Sequence, residues 1–359
     1  LADYTGLQAD LAGLQTNITA GDTAARAGRK NLIINGAMQV AQRGTSSTAN
    51  GFVSLDRWYV NQSGGSTTFS QETNTSPSET GGIKSYARLN VSSSSDYTGI
   101  LQRIEDVTSV PSGTVTLSFW AKGTAPVGGL YVYTTQDFGT GGSADVDVGY
   151  VQITASLTSS WVKYSTQITI PSVDGKTINS GSYLILSIVQ GSNTSSTAYD
   201  LNITGVQLEL GSVATDFEHL SFGEQQQLCQ RYFYTPLYNL GGSRGQFTLD
   251  YLVSSGNNGW ITFTVPYPVA MRAFATFSHS LTPAKFLGSA APADGADNFS
   301  FYIQNQGYAG LAGNGSIANL GGGGQYHGVV GTYYCSPSST SASHIFIGNG
   351  CTFQFDAEL

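Results

Sequence analysis

The chain has 359 residues, which is enough for two domains of ordinary size. Only 11% of its residues are charged and its formal net charge is −8, which excludes the basic stripe that a nucleic-acid partner requires. No apolar run approaches the length of a membrane span, and the 45 glycines and 20 tyrosines favour all-β structure with frequent turns.

The first residues carry a heptad pattern. Apolar residues at alternating spacings of three and four form the seam of a coiled coil: Tyr4, Leu7, Leu11, Leu14 and Ile18. Interspersed glycines weaken this helix, so we interpret residues 1–30 as the end of a longer helical stalk followed by a linker. A lone amphipathic helix packed on its own domain is the alternative, and the spacing does not decide the number of strands in the coil.

From residue 31 the apolar period changes to two. Alternation begins in LIING, MQVAQ and WYVNQ, and Gly- and Ser-rich turns separate further strands at 86–91, 100–107, 114–122, 130–135, 147–154, 161–170, 183–190 and 200–210. Regular short strands with no helical pattern between them predict a β-sandwich or jelly roll over residues 31–222. We interpret the stretches 31–58 and 205–234 as its opening and closing edges.

One strand separates a core face from an outer face. In VTLSFWAKG the residues Leu117, Phe119 and Ala121 alternate with Ser118, Trp120 and Lys122. A large ring beside a cation suits the outer face, so Trp120 is a candidate ligand-binding residue.

Residues 223–243 are interpreted as a junction, whose GEQQQLCQRYFY run predicts a helix followed by a strand. Just upstream, Asp216, Glu218 and His219 suggest either a metal or acid/base site or, as we favour, hydrogen bonds between domains or subunits. Arg231 beside Tyr232 indicates interface stacking in preference to catalysis.

Residues 244–359 predict a second β-sandwich. Its strands are expected at 246–253, 259–265, 273–279, 298–304, 328–334, 344–347 and 352–356. Pro266 and Pro268 indicate an edge or the exit of a strand, because proline cannot donate to a ladder. The nearly uncharged segment Tyr308–His327 is longer than a typical hairpin connection, and loops of this kind often carry recognition. Its four consecutive glycines lack the Lys-Ser/Thr of a phosphate-binding loop.

The three cysteines, Cys229, Cys335 and Cys351, do not form a disulfide framework. A bridge between Cys335 and Cys351 across a hairpin is one interpretation. Buried thiols are the interpretation that we favour.

Aromatic rings flanked by amide and hydroxyl groups can bind sugars, because rings stack on the CH faces while polar groups pair with the hydroxyls. The candidate glycan-binding residues are Trp120, Trp260, Tyr302, Tyr308, Tyr326 and His327. Tyr308 and Tyr326 are favoured because they flank the Gly-rich segment. Core packing is the alternative for each ring.

The sequence assigns no catalytic residue, metal or cofactor. Glycan hydrolysis needs two carboxylates at a fixed separation, and the second domain offers Asp250, Asp294, Asp297, Asp356 and Glu358. Asp294 and Asp297 share one turn, where solvation explains them. Because neither a β-helix repeat nor a GxSxG motif is present, we predict that the chain is not an enzyme.

The segments Asn31–Trp58, Leu117–Lys122 and Gly205–Phe233 resemble the carbohydrate-binding-module-like jelly roll of bacteriophage tail fibre and receptor-binding proteins. VPYPVAMRAFATF (265–277) and FQFDAEL (353–359) resemble strands of the tip domain in the same proteins. The resemblance implies two tandem β-sandwiches after a short coiled coil, in a homotrimeric fibre of the virion. Its implied partners are its own copies, upstream tail or baseplate proteins and a host surface glycan.

The chain departs from this resemblance at one position. Related jelly rolls often hold Ca²⁺ with an acidic residue just after an Asn-Gly pair, but here Asn35-Gly36 is followed by Ala37 and Met38. Asp200 alone offers a carboxylate, and Ca²⁺ requires six to eight oxygens. No metal is therefore expected.

Three other functions remain open at this level. A structural fibre or collar component would share the low charge but lack exposed aromatic clusters. A binder of a protein receptor would show a larger contiguous apolar patch. A glycan-degrading tailspike would require the carboxylate pair described above.

Overall fold

The computed structural model of the chain describes residues 29–92, 97–124, 126, 128–190, 198–235, 245–247, 250–252, 259–273, 276–279, 302–303, 316–320, 326–335, 345–347 and 353–359. Beyond residue 235, side chains are described only at 267–273 and 354–359. The chain forms two compact units that divide between Cys229 and Gln230, and Leu359 belongs to the first. The expected coiled-coil seam at residues 4–18 lies outside the described residues.

The first unit is built from antiparallel strands. They are β1 (Ser46–Ser47), β2 (Tyr59–Ser63), β3 (Thr67–Thr73), β4 (Ser85–Val91), β5 (Tyr97–Glu105), β6 (Gly113–Gly123), β7 (Leu130–Asp137), β8 (Val146–Thr154), β9 (Val162–Ile170), β10 (Tyr183–Gln190) and β11 (Tyr199–Leu210). Short 3₁₀ turns occupy Pro77–Thr80 and Val107–Ser109. The eight strands predicted between residues 86 and 210 are confirmed as β4 to β11.

These strands form two sheets that pack face to face. One sheet has the order β1-β3-β4-β11-β6-β9 and the other has the order β2-β5-β10-β7-β8. Leu117 and Phe119, on the face of β6 predicted to be core, are 0% exposed and pack in one cluster with residues of the opposite sheet such as Leu186. The all-β prediction and the sandwich in the first unit are therefore confirmed.

The alternation at residues 31–42 does not produce strands. Between residues 29 and 45 the chain instead turns, with positive φ at Asn35 (59°) and Met38 (56°). The buried Asn35 side chain accepts hydrogen bonds from the main-chain N–H groups of Gln39 (2.8 Å) and Val40 (3.0 Å). Its amide donates to the carbonyls of Val40 and Asp56. These local bonds replace a strand ladder, so the alternation reflects packing on the core and not pairing.

The opening stretch docks on β11, which is a central strand and not the edge that we expected. Asn31 Nδ2 donates to Val206 O (3.0 Å), and Leu208 N donates to Asn31 Oδ1 (3.1 Å). Val206 N donates to Gly36 O (3.0 Å), and a Cβ on Gly36 would lie only 2.1 Å from Val206 O. The β11 ladder shifts register between Thr204 and Gln207. The bulge therefore presents main-chain groups that the opening stretch satisfies.

After β11, residues 211–221 lead to a short helix, α1 (Phe222–Gln230). Ser221 begins it as a cap, since Ser221 N donates to Glu224 Oε2 (2.9 Å) and Glu224 N donates to Ser221 Oγ (3.3 Å). The predicted helix followed by a strand is thus confirmed, and Cys229 at its end is a buried thiol. No helix in the described ranges is long and apolar enough to cross a membrane.

The described residues of the second unit also form strands. They are β12 (Phe233–Tyr234), β13 (Gly245–Phe247), β14 (Asp250–Leu252), β15 (Gly259–Met271), β16 (Thr276–His279), β17 (Tyr302–Ile303), β18 (Ser316–Leu320), β19 (Tyr326–Cys335), β20 (Ile345–Ile347) and β21 (Phe353–Asp356). They form three sheets with the orders β12-β21-β16, β13-β20-β17 and β14-β15-β19-β18. Each of the seven predicted strand regions overlaps a described strand, while the second sandwich stays a prediction.

One expectation for the second unit is wrong, and one of the two interpretations of its prolines is also wrong. The segment Tyr308–His327 is not one long loop, because β18 lies within it and pairs with β19 from Ser316↔Thr332 to Leu320↔Gly328. The strand exit expected at Pro266 and Pro268 is wrong, because β15 continues to Met271 with a register shift after Pro266. The edge interpretation fits, because in the described residues β14 pairs with β15 only at residues 260–262 and leaves the prolines a neighbour on one side.

Candidate functional site

The outward side of the five-stranded sheet carries six tyrosines. Side chains alternate between the faces of a strand, so the neighbours of the buried residues Val60, Val132 and Leu184 point away from the core. The outward tyrosines are Tyr59, Tyr97, Tyr131, Tyr133, Tyr150 and Tyr183. The sandwich core occupies the other side of this sheet and does not require them. We call Tyr97, Tyr131, Tyr133 and Tyr150 the tyrosine face.

Tyr150, which is exposed, stacks on the half-buried Tyr133 in the tyrosine face. The two residues lie opposite each other on β7 and β8, with ring centroids 4.6 Å apart and ring planes 30° from parallel. Tyr131 meets Tyr150 edge-on at 6.4 Å. Because Tyr150 remains 54% exposed, the stacked pair presents a flat apolar surface to solvent at the edge of the sheet.

Hydrogen bonds hold Tyr133 in place. Its hydroxyl donates to Asp147 Oδ1 at 2.5 Å, and Thr135 Oγ1 donates to the same oxygen at 3.1 Å. Burial and then the bond to Asp147 raise the pKa of Tyr133. The ring is thus oriented before any ligand arrives, which lowers the ordering cost of binding.

Tyr97 extends the tyrosine face towards the centre of the sheet. Burial, followed by the proximity of the Tyr150 and Tyr133 hydroxyls, raises the pKa of Tyr97 from 10.0 to about 12. Between Tyr97 and these rings, the central strands carry the facing pair Gly99 and Val189. Because a Cβ on Gly99 would lie 2.5 Å from Val189 Cγ1, glycine allows the Val189 side chain to cover that position.

We expect Tyr97 to ionise late in an alkaline titration. A pKa raised in the folded state means that its contribution to stability is complete below pH 10.0 and is lost as the pH rises through about 12. Tyrosinate absorbance measured on the native protein and on Tyr97→Phe should therefore differ by one group that titrates near the upper value. Loss of a group that titrates in the ordinary range would contradict the placement of Tyr97.

Arg103 lies beside the other outward tyrosines. Its guanidinium carbon is 5.6 Å from the ring centroid of Tyr59 and 5.1 Å from that of Tyr183. Burial, and then a hydrogen bond to Asp137, raises the pKa of Tyr183. The cation is therefore engaged by two aromatic faces within the sheet.

The outer face of the six-stranded sheet uses its rings for packing. Trp120, predicted from sequence as a ligand-binding residue, is half-buried, and its ring crowds Gly205 so closely that a Cβ there would lie 2.9 Å from Trp120 Cδ1. The φ of Gly205 is +62°, which favours glycine. Lys122 lies 4.7 Å from the ring centroid of Trp161 and 5.7 Å from that of Tyr86. The rings of this face therefore pack within the fold and do not form an open ligand-binding surface.

The residues expected around a calcium ion do not fit one. The side chain of Asn35 is fully engaged with the main chain, as described above. The carboxylate of Asp200 pairs with Arg88, with Nη2 and Oδ2 2.8 Å apart and Nε and Oδ1 3.0 Å apart. Within the described residues, no group of three or more His, Cys, Asp or Glu side chains is arranged to hold a metal ion.

Glu218, which lies before α1, forms its hydrogen bonds within the first unit. Glu218 accepts hydrogen bonds from the main-chain N–H groups of Lys30 (3.0 Å) and Asn31 (2.9 Å). The ring of His219 contacts Phe217 edge-on at 5.2 Å. The expected inter-domain or inter-subunit role is therefore wrong for Glu218, because its partners lie at the start of the same unit. Arg231 Nη1 donates to Ala270 O at 3.5 Å within the second unit.

The backbone separates the candidate residues of the second unit. Trp260 faces Tyr334 and Tyr326 faces Met271, at opposite ends of the ladder between β15 and β19. His327 follows Tyr326 on β19, and Tyr302 belongs to the sheet of β13, β20 and β17. Tyr308 lies outside the described residues, and the side chains of the other four are not among those described.

The sequence matches no protein-family model and no curated protein. Among solved structures, the chain is similar to the enzymatically active domain of bacteriophage CBA120 tailspike protein 4, with 14% identity and a TM-score of 0.31 over 50% of this chain and 21% of that one. It is also similar to the N-terminal cellulose-binding domain of Cellulomonas fimi β-1,4-glucanase C, with 15% identity and a TM-score of 0.29 over 49% of this chain and 100% of that one.

A third similar structure is the tripod from the baseplate of bacteriophage Tuc2009, with 14% identity and a TM-score of 0.29 over 54% of this chain and 59% of that one. The chain thus spans about a fifth of the tailspike chain, 21%. A likeness this distant assigns no function.

Sequence reasoning missed the tyrosine face. Its signal was present in L-Y-V-Y at residues 130–133, where tyrosines alternate with apolar residues on one strand. Alternation alone leaves open whether the tyrosines or the aliphatic residues face the core. Only the packing of Val132 against the other sheet shows that the rings point outward.

Proposed function

We propose that this chain is the distal part of a phage tail fibre that attaches to a glycan on the bacterial surface. In the first unit the tyrosine face is the glycan-binding surface. The observation that carries this proposal is the stacked pair of Tyr133 and Tyr150, in which Asp147 orders Tyr133 while Tyr150 is 54% exposed. An exposed, pre-oriented aromatic pair is costly for a protein that does not use it.

The chemistry of the face suits a sugar chain. The flat CH side of a pyranose stacks on a tyrosine ring, and its hydroxyls pair with phenols and carboxylates at the rim. The tyrosine face offers rings on two neighbouring strands, with the Asp147 carboxylate bonded to one of them. Successive sugar units along a chain can therefore contact successive side chains.

The virion setting and the homotrimer rest on the sequence resemblance. In this proposal the heptad residues at 4–18 join three copies, and upstream tail or baseplate proteins hold them to the particle. Trp260, Tyr302, Tyr308, Tyr326 and His327 would add receptor contacts in the tip. Three copies displayed together convert a weak single site into durable attachment, because later contacts form at a high effective concentration.

The proposed role is binding without catalysis, and two alternatives remain to be tested. A structural fibre or collar component would bind no glycan. A glycan-degrading tailspike would release new reducing ends from the polysaccharide that it binds.

The decisive experiment places the full chain on an array of purified bacterial surface polysaccharides, both neutral and acidic. We expect the native protein to bind at least one polysaccharide, Tyr150→Ala to lose most of that signal, and reducing ends to stay constant during incubation. Phe222→Ala is the matched control, since Phe222 is 55% exposed but belongs to helix α1 and not to the five-stranded sheet.

Other outcomes assign other functions. Absence of binding across the array favours the structural component, and release of reducing ends favours the tailspike. Equal binding by Tyr150→Ala, with a loss in Tyr308→Ala/Tyr326→Ala, moves the site to the tip. The molecular mass in solution, measured by light scattering, tests the trimer separately.

A further inference from the structure

Three aspartates lie at one end of the tyrosine face, which we call its rim, and their charge affects which glycans the face can bind. Asp137 ends β7, Asp147 lies on β8 opposite Thr135, and Asp145 immediately precedes β8. Asp147 borders the stacked pair directly, because its carboxylate accepts a hydrogen bond from the hydroxyl of Tyr133. Asp137 and Asp145 lie beyond it, at the adjoining ends of β7 and β8.

These carboxylates are close enough to affect one another. Burial raises the pKa of Asp145 first, and the negative charges of Asp137 and Asp147 raise it further. An approaching anion would meet the same negative charges.

Two positive side chains of the first unit lie over aromatic rings. Arg103 lies over Tyr59 and Tyr183, as described above, and the Lys176 ammonium lies 5.5 Å from the ring centroid of Phe138. Neither forms an ion pair with the three aspartates among the described contacts. The rim thus remains a source of negative potential.

We propose that the tyrosine face selects neutral glycans and rejects glycans that carry carboxylates. This inference rests on the proposed function, and it assigns the selectivity to Asp137, Asp145 and Asp147. A neutral sugar can donate hydrogen bonds from its hydroxyls to these carboxylates. At Asp147, both described hydrogen bonds are accepted by Oδ1. A uronic acid would instead place a like charge there, and repulsion at surface separations changes affinity by about tenfold or more.

The test compares neutral polysaccharides with acidic ones by affinity electrophoresis of the full chain. The neutral probes are dextran, galactomannan and a mixed-linkage β-glucan, together with any neutral polysaccharide bound on the array. The acidic probes are polygalacturonate and alginate. We expect native protein to be retarded by at least one neutral probe and by neither acidic probe.

Charge-removing variants identify the source of the selectivity. Asp145→Asn is expected to raise the affinity for acidic probes relative to neutral ones by about tenfold at low salt, and added salt should reduce the difference between the variants. Asp147→Asn should act in the same direction. Glu79→Gln is the matched control, because it removes one exposed charge in the 3₁₀ turn Pro77–Thr80, between strands β3 and β4 of the six-stranded sheet.

The outcomes separate the inference from the proposed function. Retardation of native protein by an acidic probe, abolished by Tyr150→Ala, overturns the selectivity and leaves glycan binding in place. An unchanged preference in both rim variants also overturns it. Binding of no probe and of no polysaccharide on the array overturns the proposed function itself.

Discussion

Replacement of Asn35 by alanine is expected to lower the free energy of unfolding of the first unit by about 4 kcal/mol. Asn35 is 0% exposed, and its side chain satisfies two main-chain N–H groups and two carbonyls. Alanine removes this partner from the N–H groups of Gln39 and Val40 and from the carbonyl of Asp56, at about 1–3 kcal/mol each before relaxation, whereas Val40 O keeps its bond from Asp56 N. It must also adopt the positive φ of 59°, which costs about 1 kcal/mol more.

Denaturant titration followed by tryptophan fluorescence measures this loss. Trp58 is a suitable reporter, since it is fully buried and its Nε1 donates to Asn35 O at 3.1 Å. Asn50→Ala is the control, because Asn50 also bonds the main chain, through Gln62, but is exposed. We expect the control to lose at most about 1 kcal/mol. Equal losses in the two variants would show that the buried network does not stabilise the turn.

The second large effect is on ligand affinity. Replacement of Tyr150 by alanine is expected to weaken binding of the glycan identified on the array by about 30-fold, which corresponds to about 2 kcal/mol. Tyr150 supplies the exposed ring, and Tyr133 supports it at 4.6 Å. Tyr133→Ala should cost a similar amount, because the remaining ring loses its partner.

A double-mutant cycle measured by calorimetric titration shows whether the two rings act as one surface. If they do, the double variant will lose clearly less than the sum of the single losses. Tyr133→Phe keeps the ring but removes the donor to Asp147, so it should retain most of the affinity. Additive losses would indicate two independent contacts, and undiminished binding in all variants would place the site elsewhere.

The strands were predictable from sequence because each is a short alternating run bounded by turn residues. Strand β10 was predicted at 183–190 and occupies Tyr183–Gln190. The strand prediction failed where side chains form hydrogen bonds with the main chain. Alternation at residues 31–42 resembles a strand, and only the four bonds of Asn35 show that the chain turns there.

The site was harder to predict than the fold. Trp120 was chosen because a large ring beside a lysine suggests an outer face, but packing against Gly205 occupies that ring. The tyrosine face depends on partners distant in sequence, such as Tyr133 and Tyr150 on separate strands. Strand β18 was missed because it is only five residues long and the glycines around it dominate the local composition.

The bonds between Asn31 and β11 have a consequence for synthesis of the chain. Asn31 and Val206 are 175 positions apart, so the opening segment has no partner until nearly the whole domain has left the ribosome. Closure of so large a loop should make final docking slow and late. A nascent chain arrested before residue 206 would therefore hold its first turn undocked, and limited proteolysis of stalled ribosomes should cut there until β11 emerges.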